Sequence, residues 1–221
     1  MNDKNKIILI FSILLSIIIF FSGCIDRNDA VEYEVTFYAS WSQDTHPVDF
    51  PPNPHFSGLI GSSHNDEVSF WNDGELASTG IKNMAETGSK NPLNIEIGNA
   101  ILNETAFDII SGDGVNPSPG TTSVTFLVNE EYSLVSLVAM IAPSPDWFVG
   151  VNSLNLFEND SFVDEKTVIL YAYDAGTDSG ITYTSPNEVT NPTIPIFEID
   201  GYPFIYDDTL APLGTFVFKK L

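Results

Sequence analysis

Cysteine is almost missing from this chain. Cys24 stands alone among 221 residues, so no intramolecular disulfide can form. Cations are nearly as scarce, with 8 Lys+Arg against 30 Asp+Glu and a formal charge of −22. Phosphate recognition needs clustered Lys and Arg, so nucleic acid is excluded as a partner. Such an excess of carboxylate hydrates the surface, as in saline surroundings, and attracts divalent cations. There is no Gly-X-Ser-X-Gly nucleophile motif, no short-spaced pair of zinc ligands, no internal repeat and no low-complexity tract. The three histidines, His46, His55 and His64, are each nine apart. Three imidazoles can form a zinc site in principle, but none of the usual ligand spacings occurs. These rings are expected to hydrogen-bond the backbone of a long ordered loop instead. Hydrophobic content is an ordinary 43%, so the chain is not a disordered acidic tail but has enough apolar mass for one sizeable core.

Long apolar runs are also absent, with one exception. Lys4 and Lys6 precede Ile7 to Phe21, broken only by Ser12 and Ser16, and Ser22-Gly23-Cys24 follows. A basic start, a short apolar core and small residues at a cleavage point make an export signal. A membrane-spanning helix needs about 20 apolar residues, which this run does not reach. Small residues leading into Cys24 resemble the lipobox of prokaryotic lipoproteins, whose thiol is lipidated and becomes the new amino terminus. Phe21 departs from the aliphatic residue usual in that pattern, and an uncleaved signal anchor is the alternative. The expected organisation is a lipoprotein signal peptide at 1–23, a tether at 24–30 with lipid attachment at Cys24, and one domain at 31–221. Loss of 1–23 removes Asp3, Lys4 and Lys6, a net +1, and leaves −23 near a membrane surface.

From Val31 the pattern alternates. Val31, Tyr33, Val35 and Phe37 share one face and Glu32, Glu34 and Thr36 the other, as in a half-buried antiparallel strand. A proline-dense stretch follows, from Ala39 to Gly58. It excludes helix or central strand, but Trp41, Phe50 and Phe56 predict that it packs down. One helix is predicted over Glu75 to Thr87, capped by Asn72 or Asp73 and stopped by Gly88. Further strands are predicted at Leu93 to Ile97, Ser123 to Val128, Leu134 to Ile141, Phe148 to Leu156, Val168 to Tyr173, Ile181 to Thr184 and Gly214 to Lys219. Many short strands with one short helix predict an all-β fold, an antiparallel β-sandwich.

After the Val168 to Tyr173 run comes Asp174-Ala175-Gly176-Thr177-Asp178-Ser179-Gly180, two carboxylates four apart with a glycine two residues after each. Calcium takes six to eight oxygens from carboxylates and backbone carbonyls of such tight loops. Taken alone, this stretch is more often a plain Asp-Gly turn.

Several blocks resemble the F-spondin domain (spondin N-terminal domain): Trp41-Ser42 with Thr45-His46-Pro47, His55-Phe56-Ser57, and Ile60-Gly61-Ser62-Ser63-His64. Ala77-Ser78-Thr79-Gly80, Ala85-Glu86-Thr87-Gly88, Pro143-Ser144-Pro145-Asp146-Trp147-Phe148-Val149-Gly150 and the Asp174–Gly180 loop extend the likeness from about Tyr33 to Phe218. The resemblance implies an eight-stranded β-sandwich related to C2 domains, with calcium held at one end by Asp146, Asp174 and Asp178. It implies a non-catalytic adhesion or binding module for an extracellular protein or glycan ligand, here held on the cell surface by its lipid. The disulfide cysteines of the animal domains are missing, and so are their appended modules. A different class remains open: an exported hydrolase acting on a polysaccharide through paired carboxylates or a metal-activated water. A purely structural envelope protein is a third.

Overall fold

The computed structural model describes residues 29–221. The signal-peptide and lipid-attachment expectations, including Cys24, lie outside the described residues.

In chain order the elements are β1 (Val31–Ala39), β2 (His55–Phe56), β3 (Ile60–His64), α1 (Thr79–Thr87) and α2 (Leu93–Leu102). Then come β4 (Ala106–Ser111), β5 (Gly120–Val128), β6 (Leu134–Ala142), β7 (Trp147–Asn155), β8 (Phe157–Glu158), β9 (Ser161–Phe162) and β10 (Glu165–Leu170). The last are β11 (Tyr173–Asp174), β12 (Phe197–Glu198), β13 (Ile205–Tyr206), β14 (Thr209–Leu210) and β15 (Gly214–Lys220). Eight of the strands have five residues or more, and they divide evenly between two sheets. One sheet runs β10-β15-β1-β5; the other runs β12-β11-β7-β6-β3-β4, with β2 joined to β6. All the pairings are antiparallel, so the molecule is an all-β sandwich.

The alternation in β1 does what it predicts. Tyr33, Val35 and Phe37 are fully buried, and Glu34 sits opposite Lys219 on the wet face. Phe37 meets Phe56 and Phe216 edge to face at 4.8 and 5.0 Å, in the geometry aromatic quadrupoles favour. Strand β6 is apolar except for Ser136 because both of its faces are covered. Leu137, Ala139 and Ile141 point into the sandwich, while Val138, Met140 and Ala142 lie under the helices with Ile81, Met84, Leu93 and Ile97.

Among the described residues there are two helices, not one. The Leu93 to Ile97 strand is in fact the start of α2: Leu93, Ile97 and Ala100 are buried at helical spacing, and Ile95 is 55% exposed. An apolar residue at every second position satisfies both periods, and packing on the sheet decides for the helix. Helix α1 begins at Thr79, later than predicted. Ser78 Oγ accepts Ile81 N–H, and Glu96 of α2 accepts both Gly80 N–H and Ser78 O–H at 2.7 Å. The expected first turn is diverted, because Gly74 N–H and Glu75 C=O pair with Ile196. Ile181 to Thr184 is a turn rather than a strand, with Ser185 Oγ accepting from the N–H groups of Ile181 and Thr182. Val168 to Tyr173 divides: β10 ends at Leu170 in one sheet, and the chain joins the other at Tyr173.

Candidate metal centre

That change of sheet builds the site. Tyr173 pairs with Phe148 and Asp174 with Trp147, so the Asp174–Gly180 loop lands on the turn that carries Asp146. Ala175 N–H donates to Asp146 C=O at 3.1 Å, which fixes the two segments together. Asp146 has no exposed surface. Its Oδ2 accepts three hydrogen bonds, from Thr177 N–H (2.7 Å), Thr177 O–H (3.1 Å) and Asp178 N–H (3.0 Å). Its Oδ1 is buried and accepts none. Buried carboxylate oxygens are almost always satisfied, so this one stands out.

The glycine spacing is turn chemistry. Asp174 Oδ1 accepts Gly176 N–H at 2.7 Å and Asp178 Oδ1 accepts Gly180 N–H at 2.8 Å, two successive Asx turns. The remaining oxygens reach across the chain, Asp174 Oδ2 to Trp147 Nε1–H (3.2 Å) and Asp178 Oδ2 to Glu188 N–H (3.1 Å). Gly176 has φ +73°, and a Cβ there would sit 2.0 Å from Ile194 C=O, so only glycine fits.

Burial pushes the Asp174 carboxyl up to about 7, and the charge of Asp146 beside it adds to the rise. The Gly176 and Trp147 donors pull the other way. Asp146 is likewise raised by burial, against the pull of the Thr177 and Asp178 donors, with the charge of Asp178 adding. The three carboxylates therefore sense one another across the two loops. The ion pairs among the described residues, Lys82–Glu86 and Lys166–Glu158, involve none of them. Among the described residues no group of three or more His, Cys, Asp or Glu side chains is arranged to hold a metal ion, Asp146, Asp174 and Asp178 included. The available donors are oxygens only, an orphaned carboxylate oxygen among them. That set fits a hard, oxygen-seeking cation whose remaining ligands are carbonyls and water.

Trp147 and Thr177 were not foreseen as partners of the aspartates. Thr177 sits inside the Asp-Ala-Gly-Thr-Asp motif, but its contact with Asp146 spans 31 positions and carries no local signal. The histidines serve as expected, with one difference of place. His46 meets Thr45 Oγ1 and Ala211 C=O, His55 meets Asn53 C=O, and His64 meets Asn65 C=O. His64 lies on β3, and its Nε2 is 2.8 Å from Ser136 Oγ; histidine and serine are both buried, out of reach of a substrate.

No helix among the described residues is long and apolar enough to cross a membrane. The Spondin_N family model matches residues 31–204. The chain is similar to Spondin-2 of Homo sapiens, 39% identical over 196 residues, which is 86% of this chain and 57% of the relative. It is also similar to Spondin-1 of Gallus gallus, 38% identical over 172 residues, covering 74% of this chain and 21% of the relative. The match thus spans little more than half of the first relative and about a fifth of the second. By a family match over most of its length, the chain is a member of the Spondin_N family.

Proposed function

We propose that this chain is a calcium-stabilised, non-catalytic binding module, lipid-anchored through Cys24 on the outer face of a membrane and engaging an extracellular protein or glycan. The observation that carries the metal reading is Asp146 Oδ1, a buried carboxylate oxygen without a hydrogen bond in a loop pair holding three mutually repelling carboxylates. Asp146, Asp174 and Asp178 would hold the ion. Its charge would offset their repulsion and tie the Pro145–Trp147 turn to the Asp174–Gly180 loop.

Binding is favoured over hydrolysis by how the carboxylates are employed. Five of their six oxygens already accept hydrogen bonds that shape the loops, and the sixth, Asp146 Oδ1, is buried, so none is presented to a substrate as a general base.

The test is thermal. A chelator is expected to lower the melting temperature of the protein, and millimolar calcium to restore it by mass action. Asp178→Ala is expected to melt identically with and without calcium while keeping its strand signal in circular dichroism. An unchanged wild-type melt under both conditions would remove the calcium site.

A further inference from the structure

The same change of sheet leaves a second feature, well separated in chemistry from the carboxylates. Beyond Phe148, β7 has no partner on the β11 side among the described residues, and β10 is the edge of the other sheet. Between these two open edges lies a cleft of about 410 Å³, floored by the Tyr171–Tyr173 crossing and closed by the Asn72–Asp73 segment. That volume is at the small end of ligand pockets and suits roughly one or two sugar rings.

Its lining divides into two kinds of group. Tyr171 is half-buried, packs against no other ring and leaves its hydroxyl without a hydrogen bond among the described residues. Asp73 is exposed and equally unpaired. The amides, by contrast, are held fast. Asn152 Nδ2–H donates to Asn72 Oδ1, and Asn72 Nδ2 donates to Ser69 Oγ at 3.0 Å and Glu75 Oε2 at 3.1 Å. Asn152 Oδ1 accepts from Ser153 Oγ at 3.1 Å. Their aim is set by a bulge, in which Asn152 and Ser153 together oppose Ser136 and Ser153 takes φ +49°. Bulges re-aim side chains in this way beside binding sites.

We propose that this cleft is a subsite for a neutral saccharide, with Tyr171 facing the C–H side of a pyranose ring and Asp73 with the Asn72–Asn152 pair taking its hydroxyls. No Lys or Arg lines the cleft, so sulfated, phosphorylated or carboxylated sugars find no counter-charge there. An extended peptide added to the β7 edge is disfavoured by the bulge, which interrupts the regular ladder at residues 152–153. The subsite rests on the reading of the chain as a binding module but not on its calcium.

The test titrates the full-length chain in detergent with cello-, chito-, manno- and galacto-tetraose, with a sulfated heparin tetrasaccharide as the charged control. Saturable binding of a neutral tetrasaccharide is expected, weakened about tenfold by Tyr171→Ala and by Asp73→Asn. The calcium-dependent melt of both variants is expected to match wild type. The subsite is overturned if no neutral tetrasaccharide binds at about 10 mM, if both variants bind as wild type does, or if the sulfated ligand is preferred. It is also overturned if an extended threonine–valine peptide displaces the sugar and binds more tightly. Adhesion of the wild-type chain to intact cells, measured alongside, separates the two readings. If adhesion persists undiminished in Tyr171→Ala, the subsite falls and the module stands; if wild type adheres to nothing and binds no sugar, both fall.

Discussion

Stripped of metal, the domain is expected to lose stability as pH rises, the reverse of the usual behaviour of carboxylates. In the folded chain Asp174 titrates at about 7, against about 3.9 in an unfolded chain. Between those values the folded state holds a proton that the unfolded state has shed. Stability from this group is therefore full below the lower value and lost as pH climbs through the higher one. A shift of about three units corresponds to about 4 kcal/mol. Asp174 is partly exposed, and solvent screening reduces this to about 2 kcal/mol. About two-thirds of that loss falls between pH 5 and pH 8, and each kcal/mol moves the midpoint of a domain of this size by about 2–4 °C, so a fall of about 3–5 °C is expected over that range in chelator. The raised Asp146 acts in the same direction. Calcium reverses the slope, because it binds the ionised carboxylates and competes with protons. At a hundredfold excess over its Kd it adds about 2.7 kcal/mol at pH 8 and much less at pH 5. Scanning calorimetry at both pH values, with chelator and with calcium, reads all four midpoints. A chelated midpoint that is flat or rises with pH would refute the electrostatic reasoning. An equal calcium gain at pH 5 and pH 8 would refute the link between Asp174 and the ion.

Two other perturbations probe different parts of the chain. Cys24→Ser is expected to move the protein from the detergent phase to the aqueous phase in a Triton X-114 partition; retention in the detergent phase would mean anchoring by the uncleaved apolar run. Glu96→Ala removes the carboxylate that accepts both Gly80 N–H and Ser78 O–H. It is expected to cost about 1–2 kcal/mol, by analogy with a lost helix cap, while leaving the calcium gain intact; a coupled loss of that gain would show that the helical layer supports the ion site.

What could be read from the sequence follows from where packing agrees with local pattern. Strand β1 was legible because one of its faces is wet, and β6 because covering both faces demands an apolar run, here interrupted only at Ser136. Strand β3 was hidden because Ser62, Ser63 and His64 are polar yet fully buried. Their partners, Asp108 C=O, Leu127 C=O and Ser136, come from elsewhere in the chain. The Asp174–Gly180 loop alone spelled only a turn, and both Asx turns confirm that local meaning. Its link to Asp146 entered through the family resemblance, and the geometry supports it through hydrogen bonds that no local pattern encodes.

The crossing at Tyr171–Ala172 ties the two proposed sites to a single cause. Leu170 C=O still accepts from Leu213 in the first sheet, and Ala172 C=O already accepts from Ile199 beside the second. Two residues thus carry the chain between layers that face each other across the core. Had β10 continued in its own sheet, Asp174 would not meet Trp147, and Asp146 would have no Thr177 or Asp178 donors. The same departure leaves β7 without a partner on the β11 side beyond Phe148 among the described residues, and opens the cleft beside Tyr171. A sandwich edge normally has to be blunted to avoid pairing with another chain, and here the bulge at Asn152–Ser153 does so while aiming an amide into the opening. The connector therefore supplies the metal loop with its register and the cleft with its floor, which is why an acidic turn and an aromatic groove of unrelated chemistry lie within a few residues of each other.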